Sequence, residues 1–569
     1  MRFKSNCCLF SASIAGRWAA VLALGSVLTA GARAQTKGRT VFELDGPRAV
    51  IEWVTDSTFR FCRAWEGGSC DPLDVHGPSK AKVERTDGET KVTFRTDDLA
   101  VEIQKSGLRL RVLSRDGKIL LAEAHESRRA GMGIEAAFVS QPEQKYYGLG
   151  IRSDASANLR GRSVETSRPF LISSLGYGLY YTTPGLYRFD LGEMAPQLLR
   201  LSFRGLPRLE YWFHYGPTVK AIYEEHLEVV PPRAYARFDL MHREELPERA
   251  VLLPQAEDAS WRLLEDSVRA VVHASLSGIL NPAFDVGPFA AASPELFQRA
   301  MQLASVLPLI CNSRSGTLGR DKEAVQERWL TLRKRLIPFF LTYVEEARSR
   351  GLPMIHPMMM QFPTDEAGQD LTDQFMVGDE LLAAPIFTPG GRRKVYLPMG
   401  QWTEWHSNRR FAGRQVIEVE APEDVLPLFA RNGSIVPLDG VTAGERMELH
   451  YFPRLAAELF LYEPELMRYS QMHAAPALDL LRLEIDSKAE RSYEWVVHHA
   501  PRPAAVTAGD VVFEEAKDRQ RLHPGSWYFD AGRQNVHVAV RTARGERLIV
   551  HLHPGEPEGQ GRSSTAPMN

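Results

Sequence analysis

Three carboxylates between positions 250 and 290 are the best-placed candidates for chemistry in this chain. Glu257 and Asp258 are neighbours just ahead of a segment with helical periodicity, and Asp285 follows a short apolar run that is typical of a strand. Positioned carboxylates act as general acids, general bases or nucleophiles, and one at a strand end can also bind a hydroxyl group. Two of them have a structural alternative. Asp258 suits the N-cap of the following helix, which is the interpretation that we favour. Asp285 could equally be a loop aspartate that its own neighbours satisfy.

Other reactive side chains have less favourable surroundings. Cys311 has no base beside it in the sequence, so we expect a buried structural thiol. His498 and His499 form an isolated pair, whereas metal ligands converge from several spaced positions. The sequence contains no glycine-rich phosphate loop and no recognisable serine–histidine–aspartate arrangement. We therefore expect neither a metal nor a cofactor.

The carboxylates lie in a region of alternating strands and helices, residues 233–380. Amphipathic periodicity predicts helices that begin at Trp261 and Pro294, and a longer helix from Lys322 to Arg350 that ends at Gly351. Short apolar runs separate these helices. Such alternation of strands and helices predicts parallel βα units.

β-Structure is predicted on both sides of this region. From Val41 to Leu209, short segments alternate apolar and polar residues, and Asp116-Gly117 supplies a hairpin turn. This pattern predicts an antiparallel β-sandwich over residues 35–232. After Glu380 the chain returns to β, which we divide into a proximal sandwich at 381–446 and a distal sandwich at 447–552. The tail, 553–569, is rich in glycine, proline and serine, and we expect it to be disordered.

The first 34 residues are predicted to be a secretory signal peptide. Basic residues precede an apolar stretch from Ala19 to Ala30, and Ala32-Arg33-Ala34 offers a cleavage site with small flanking residues. The stretch is too short for a membrane span, so we expect export to the periplasm or the extracellular space. Of the cysteines that remain, Cys62 and Cys70 could close a short disulfide loop or stay two free thiols.

Composition limits the kind of partner. The formal net charge is −2 over 569 residues, of which 44% are hydrophobic and 25% are charged. This is ordinary globular composition, without the basic character that nucleic acid or an anionic membrane surface would require. No later segment is apolar enough to cross a bilayer. We therefore expect a neutral or weakly charged partner, and carbohydrate is one such class.

Several separate blocks of the sequence resemble the retaining α-glycosidases of glycoside hydrolase family 31. In the family's order these are Tyr146-Tyr-Gly-Leu-Gly, Pro169-Phe-Leu-Ile-Ser-Ser-Leu-Gly-Tyr-Gly-Leu, Tyr211-Trp-Phe-His-Tyr-Gly-Pro-Thr, Gly351-Leu-Pro-Met-Ile-His-Pro, Gln374-Phe-Met-Val-Gly-Asp and Pro427-Leu-Phe-Ala-Arg-Asn-Gly-Ser-Ile-Val-Pro. The resemblance implies a multidomain β plus α/β fold: a galactose-mutarotase-like N-terminal sandwich, a (β/α) barrel and two C-terminal sandwiches. It also implies retaining hydrolysis of terminal α-linked glucose, xylose or a related sugar.

The predicted barrel is too short to be complete. A closed (β/α)₈ barrel takes about 250 residues, whereas residues 233–380 number 148. We therefore predict a partial barrel of about four or five strands. Such a barrel leaves an open strand edge, so we predict that Arg233–Arg249 packs over the gap or that the chain forms a homo-oligomer through it.

The residues that the family's chemistry needs are missing from the matching positions. A retaining glycosidase holds two carboxylates about 5–5.5 Å apart. The resemblance places the acid/base at position 256, which is alanine here, and the strand that should carry the nucleophile has no counterpart. Cys311 and Ser313 stand where the family has an arginine and a sugar-binding histidine. Gly278–Phe289 resembles the family's strand ending in Asp-Ile-Gly-Gly-Phe, which makes Asp285 the substrate-binding candidate. Asp258 and Asp285 are the remaining catalytic candidates.

These observations predict a shortened, catalytically impaired member of the family whose partner is an α-glucoside or α-xyloside. The alternative is a non-catalytic carbohydrate-binding or assembly protein on the same scaffold. A third possibility, based on fold analogy alone, is a mutarotase-like activity in the N-terminal sandwich.

Overall fold

The computed structural model describes residues 40–44, 49–71, 79–230, 250–314, 318–440, 446–477 and 479–555. The predicted signal peptide, the segment Arg233–Arg249 and residues 556–569 of the predicted tail lie outside these ranges. No helix in the described ranges is long and apolar enough to cross a membrane.

The N-terminal region is built from three antiparallel sheets and ends in a helix. Its elements are β1 (Thr40–Glu43), β2 (Ala49–Trp53), β3 (Thr58–Ala64), β4 (Glu84–Asp87), β5 (Lys91–Arg95), β6 (Leu99–Gln104), β7 (Leu110–Ser114), β8 (Ile119–Ala122), β9 (Arg128–Ala130), β10 (Gly133–Val139), β11 (Tyr146–Gly148), β12 (Ser163–Thr166), β13 (Phe170–Ser173), β14 (Tyr177–Tyr181), β15 (Leu186–Asp190), β16 (Leu198–Arg204), β17 (Arg208–Tyr215) and α1 (Val219–Leu227). The sheets have the orders β1-β2-β3-β17-β14-β13-β11, β12-β15-β16-β10-β9 and β4-β5-β6-β7-β8.

The sequence pattern explains how this sandwich forms. In β6 every second side chain is buried, as the alternation of apolar and polar residues predicts. The predicted Asp116-Gly117 turn connects β7 to β8, and Gly117 adopts a φ of +83°, a conformation that glycine takes without a steric penalty. Cys62 in β3 forms a disulfide with Cys70, with their Cα atoms 5.7 Å apart. Of the two states that the sequence leaves open, the structure therefore has the bonded one.

The α/β region contains a parallel sheet of three short strands, in the order β18 (Val251–Leu252), β19 (Pro282–Asp285) and β20 (Leu309–Cys311). Helices α2 (Trp261–Leu276) and α3 (Pro294–Val306) connect the strands, with a 3₁₀ turn at Gly287–Ala291 before α3. In the described part of the chain no other strand pairs with this sheet, so it forms part of a barrel and does not close. The predicted fold class is confirmed.

Two helices occupy the stretch where the periodicity predicts one long helix. They are α4 (Arg320–Arg335) and α5 (Ile337–Arg350), which meet at Leu336. Pro338 in the first turn of α5 explains the break, because proline has no N–H to donate to a preceding turn. Gly351 ends α5 with a φ of +71°, so the predicted stop is in place.

The C-terminal half consists of two β-rich regions. The first contains β21 (Ile355–His356), α6 (Met358–Gln361), β22 (Phe375–Val377), β23 (Leu381–Ala383), β24 (Arg392–Leu397), β25 (Gln401–Glu404), β26 (Arg410–Ala412), β27 (Gln415–Glu420) and β28 (Leu428–Arg431). Its sheet has the order β21-β22-β23-β28-β25-β26, beside the pair β24-β27. Two of its strands precede Leu381, the residue at which we place the start of the proximal sandwich. The stretch 250–380 thus contains five strands, of which three belong to the parallel sheet.

The second region is a sandwich of two six-stranded sheets. Its elements are β29 (Ser434–Leu438), β30 (Met447–Phe452), β31 (Ala457–Glu463), β32 (Arg468–Pro476), β33 (Leu481–Asp486), β34 (Arg491–Val497), β35 (Pro503–Ala508), β36 (Val511–Val512), β37 (Glu514–Glu515), a 3₁₀ turn (Arg519–Arg521), β38 (Ser526–Asp530), β39 (Asn535–Thr542) and β40 (Arg547–Pro554). The sheet orders are β29-β30-β34-β39-β38-β37 and β31-β32-β33-β40-β35-β36. β40 continues to Pro554, so the first two residues of the predicted tail belong to a strand.

One hydrophobic cluster connects the α/β region to its neighbours on both sides. It contains Phe170 of β13, Val271 of α2, Phe340 of α5, Phe375 of β22 and Phe452 of β30. The short parallel sheet therefore shares its core with the sandwiches before and after it.

A buried arginine attaches α3 to the proximal sandwich. The Arg299 guanidinium donates to the backbone oxygens of Ala421 (2.8 Å), Pro422 (3.1 Å) and Val425 (3.0 Å), and to Oε1 of Gln302 (3.1 Å). Arg299 is 1% exposed, and its hydrogen bonds to Gln302, Val425 and Ala421 are buried, so water does not replace the guanidinium there. Because leaving buried acceptors unpaired is costly, this contact fixes α3 against the loop 421–425.

Arg299→Met should lower the free energy of unfolding by about 2–4 kcal/mol, because it removes all four hydrogen bonds while keeping a long side chain. Denaturant unfolding followed by circular dichroism measures the change. Arg328→Ala is the matched control, since its ion pair with Asp424 spans 3.6 Å between side chains that are 59% and 58% exposed. We expect that control to change stability by less than about 0.5 kcal/mol. Equal effects of the two substitutions would contradict the role of Arg299.

Candidate functional site

The candidate site lies at the carboxyl ends of the three parallel strands, where βα folds place their functional groups. β19 ends at Asp285 and β20 ends at Cys311, and the parallel register sets these two residues side by side. Gln255 follows β18 by three positions. We call Gln255, Asp285, Cys311 and Ser313 the strand-end cluster.

Both carboxylate oxygens of Asp285 already have hydrogen-bond donors from the protein. Oδ1 accepts from the backbone N–H of Gly287 (2.9 Å) and of Ser313 (3.0 Å). Oδ2 accepts from the side-chain amide of Gln255 at 3.2 Å. With 7% of its surface exposed, Asp285 ties together the loops that follow β18, β19 and β20. The structure therefore favours the loop-aspartate alternative, and the carboxylate has little capacity left for a reacting group.

The other carboxylate candidates lie on an exposed loop ahead of α2. Glu257 and Asp258 are both exposed, and Arg314 donates to the backbone oxygen of Glu257. The prediction that Asp258 caps α2 is wrong. The N-cap is Ser260, whose hydroxyl accepts from the backbone N–H of Leu263 at 3.0 Å. A hydroxyl in the cap position satisfies the same donor that Asp258 would have satisfied, two residues closer to the first helical turn.

Cys311 is a buried thiol, as predicted. Burial, together with the charge and hydrogen bonding of the neighbouring Asp285 carboxylate, raises the pKa of the Cys311 thiol to about 12. A thiol with a raised pKa stays protonated at neutral pH, and the thiolate is the nucleophilic form. Cys311 is therefore a packing residue and not a replacement nucleophile.

Sequence reasoning missed two residues of this arrangement. Gln255 carries no pattern that predicts its contact with Asp285 across thirty positions. Gly287 does have a signal, because an aspartate two residues before a glycine is typical of a turn closed by the aspartate side chain. A Cβ at Gly287 would lie 2.8 Å from Oγ of Ser313 and 2.9 Å from the backbone N of Arg314, so no larger residue fits there without displacing that loop.

A cavity of about 640 Å³ borders the strand-end cluster. Phe297 supplies an apolar wall, and Asn312, Arg314, Asp321 and Glu423 supply polar groups. The ammonium group of Lys322 is engaged, since it donates to the backbone oxygens of Ala290 and Ala292, each at 2.7 Å. This mixture of an apolar wall and polar groups is typical of small-molecule sites.

No group of three or more histidine, cysteine, aspartate and glutamate residues in the described chain could hold a metal ion. The His498-His499 pair that stands out in the sequence does not form such a group. His498 contacts the imidazole of His450 and the side-chain oxygen of Asn408, each at 3.0 Å, and is buried between the two C-terminal sandwiches.

Comparison with known families identifies this fold. Family models match three consecutive parts of the chain: "Glycosyl hydrolase 31 N-terminal galactose mutarotase-like domain" at residues 48–168, "Glycosyl hydrolases family 31 TIM-barrel domain" at 256–343 and "Glycosyl hydrolase family 31 C-terminal domain" at 351–436. The chain belongs to glycoside hydrolase family 31. The predicted family is confirmed, and the barrel match covers the stretch around the three parallel strands.

The matches to curated relatives cover only part of each relative's length. Alpha-glucosidase 2 of Bacillus thermoamyloliquefaciens is 27% identical over 281 residues, which cover 43% of this chain and 35% of the relative. Isomaltosyltransferase of Sporosarcina globispora is 24% identical over 332 residues, which cover 52% of this chain and 30% of the relative. The family 31 chain thus spans about a third of the length of these relatives.

Solved structures agree with the fold along most of the chain. The family 31 dextranase of Flavobacterium johnsoniae, in complex with glucose, has a TM-score of 0.75 at 14% identity, and the match covers 91% of this chain and 98% of that one. The family 31 alpha-xylosidase of Xanthomonas citri has a TM-score of 0.63 at 13% identity, with 89% and 98% covered. At these identities the likeness establishes the shared architecture.

In the chain that begins at Gln35, Cys311 should not react with an aromatic disulfide reagent at pH 8 while the protein is folded. Its thiol pKa of about 12 leaves almost no thiolate at that pH, and the sulfur is buried. After unfolding in denaturant without reductant, one thiol should react, because Cys62 and Cys70 are bonded to each other. Rapid reaction of the folded protein would contradict the packing role, and three reactive thiols on unfolding would contradict the disulfide.

Proposed function

We propose that this family 31 chain binds carbohydrate and does not hydrolyse α-glycosidic bonds. The observation that carries the proposal is the state of Asp285. Among the described residues it is the one carboxylate directly at the carboxyl end of a strand of the parallel sheet, and three protein donors occupy its oxygens.

Glycoside hydrolysis requires two carboxylates on opposite faces of the sugar. They stand about 5–5.5 Å apart when the configuration is retained and about 6.5–9.5 Å apart when it is inverted. Glu257 and Asp258 are adjacent on one exposed loop, so as a pair they cannot flank a sugar. General acid–base catalysis alone contributes about 10²–10⁴-fold in rate, and the covalent route stops without its nucleophile. A site with Asp285 alone therefore supports binding better than turnover.

Carbohydrate as the ligand is supported by the family and by the cavity beside the strand-end cluster. Sugars present apolar ring faces and many hydroxyl groups, which fit an aromatic wall such as Phe297 and polar groups such as Asn312 and Asp321. The relatives carry the names of enzymes that act on α-glucosides and α-xylosides. We propose a ligand of the same α-glucoside or α-xyloside type here.

Purified protein should show no turnover above background with a panel of aryl α-glucosides and α-xylosides, and should bind isomaltotriose or a xylo-oligosaccharide saturably in calorimetry. Asn312→Ala should weaken that binding by about tenfold, because it removes a polar group that lines the cavity. Asp258→Ala is the matched control, and it should leave binding unchanged because Asp258 lies outside the cavity.

Two results would overturn this proposal. One is hydrolysis of an α-glycoside by the wild-type chain that Asp258→Ala or Asp285→Ala abolishes, which would reveal a relocated carboxylate pair. The other is the absence of saturable binding to every oligosaccharide tested, which would favour an assembly role on the same scaffold.

We also infer that the chain is exported. The predicted signal peptide supports this, and the Cys62–Cys70 disulfide is typical of oxidising compartments. Expression of the full chain in a bacterial host, followed by fractionation and N-terminal sequencing, should yield a product outside the cytoplasm that begins near Gln35. A cytoplasmic product that retains residues 1–34 would contradict export. Self-association through the open edge of the partial barrel stays a prediction.

A further inference from the structure

A second cavity, of about 520 Å³, lies at the amino ends of the parallel strands, on the side away from the strand-end cluster. It is bounded by the N-terminal sandwich, by α1 and by the loop that precedes β19. Its walls include the rings of Phe170, Tyr180, Tyr223 and His226, together with Arg168. Neither the family's carboxylate chemistry nor the proposed function uses this cavity.

His226 stands at the end of a chain of hydrogen bonds that runs back into the N-terminal sandwich. Its Nδ1 lies 3.2 Å from Nε2 of His214, and Nδ1 of His214 lies 3.2 Å from the hydroxyl of Thr58. Thr58 donates to Oε2 of Glu225 at 2.7 Å, and Thr55 donates to the same oxygen at 2.6 Å.

This hydrogen-bond relay, from His226 through His214 and Thr58 to Glu225, determines which nitrogen of each imidazole carries a proton. The Thr58 hydroxyl uses its one proton to donate a hydrogen bond to Glu225, so its oxygen accepts a hydrogen bond from Nδ1–H of His214. The Nε2 atom of His214 is then an acceptor, and it receives Nδ1–H of His226. The Nε2 atom of His226 is left with a lone pair and, within the described residues, with no hydrogen-bond donor.

The ring of His226 is held in place from two sides. It stacks on Phe170 with centroids 4.6 Å apart and planes at 17°, and it meets Tyr180 edge-on at 4.9 Å and 80°. His226 is also partly exposed, unlike His214 behind it, which is fully buried. A fixed, accessible acceptor beside aromatic rings is a recognition element for a molecule with hydroxyl groups.

We propose that this cavity is a binding site for a small polyhydroxylated molecule of pyranose size, one of whose hydroxyl groups donates to Nε2 of His226. The apolar face of such a molecule would pack on the aromatic wall. The relay to Glu225 fixes the tautomer of His226 in which Nε2 is a hydrogen-bond acceptor. The site is therefore selective for a ligand that donates a hydrogen bond, and the ligand needs no charge.

Ligand binding at this site should depend on pH. Burial lowers the pKa of His226 to about 4, so Nε2 stays an acceptor through the neutral range. The titratable and charged groups around it are His214 and Glu225 in the relay, and Arg168, Tyr180 and Tyr223 in the cavity wall. As the pH falls towards about 4, Nε2 takes up a proton and becomes a donor, so ligand binding should weaken.

Val230 and Ala250 also line the cavity, and they flank residues 231–249, which lie outside the described ranges. The experiment therefore also distinguishes a free ligand from residues 231–249 as the occupant.

Calorimetric titration of the full chain with D-glucose, D-xylose and myo-inositol tests the proposal. We expect saturable binding of at least one probe at pH 7. His226→Phe keeps an aromatic ring without the acceptor and should weaken binding by about tenfold, whereas His226→Gln, which supplies an amide oxygen, should restore most of it. His523→Gln is the control at an exposed histidine outside the cavity and should change nothing. Asn312→Ala should also leave this binding intact, which distinguishes it from binding at the strand-end cluster.

Three results would overturn the proposal. They are the absence of binding for every probe, binding that His226→Phe leaves unchanged, and binding that appears only when residues 231–249 are replaced by a glycine–serine linker of equal length. The last result would identify the segment as the occupant. If His226→Phe fails to fold, wild-type titrations between pH 6.5 and pH 3 decide the question, because binding that does not weaken across this range rules out an unprotonated Nε2 as the acceptor.

Discussion

The three-stranded parallel sheet shares most of its hydrophobic core with neighbouring elements, and most of the architecture follows from that constraint. Parallel sheets are stable when both faces are covered, and three strands of two to four residues cannot cover themselves. Here the cover comes from α2, α3 and α5 and from both neighbouring sandwiches, which contribute to one continuous hydrophobic cluster. A barrel shortened to this extent can persist because its neighbours, and not its own missing strands, exclude water from it.

The shortening of the barrel also accounts for the hydrogen bonds that Asp285 makes at the end of β19. In a complete glycosidase barrel, carboxylates at the ends of different strands flank the substrate from opposite sides. With the opposing strands missing, Asp285 turns to the loops beside it and accepts hydrogen bonds from Gly287, Ser313 and Gln255. The carboxylate therefore holds these loops together, while the cavity next to it has a mixed apolar and polar surface.

Periodicity and local motifs predicted most of the elements but not their long-range contacts. The alternation in β6, the Gly117 turn and the Gly351 stop are local features, so the sequence was sufficient to predict them. The break between α4 and α5 also has a local signal, because Pro338 lies inside the predicted helix. We nevertheless predicted one helix, since the apolar pattern continues across this proline. Asp258 was misplaced because Ser260 offers the same cap two residues later.

Contacts between distant segments could not be predicted from the sequence. Nothing in the sequence connects Gln255 with Asp285, or His226 with Thr58, because side chains that meet across sheets and loops share no period and no spacing. Where family motifs are present, the resemblance supplied the expected fold. It could not do so at the shortened barrel, where the motifs are missing. The sequence therefore predicted Asp285 as a candidate, but only its three-dimensional neighbours show that its carboxylate is engaged.

The contact of Arg299 with the loop 421–425 has a consequence for how the molecule comes apart. Separating α3 from the proximal sandwich would break three hydrogen bonds between the buried Arg299 guanidinium and the carbonyl groups of the loop. We therefore expect the two units to unfold together, as one cooperative block that crosses the boundary between the family models. A fragment cut between the barrel match and the C-terminal match would lose half of a shared interface, so the family-model boundaries should not coincide with the units of folding.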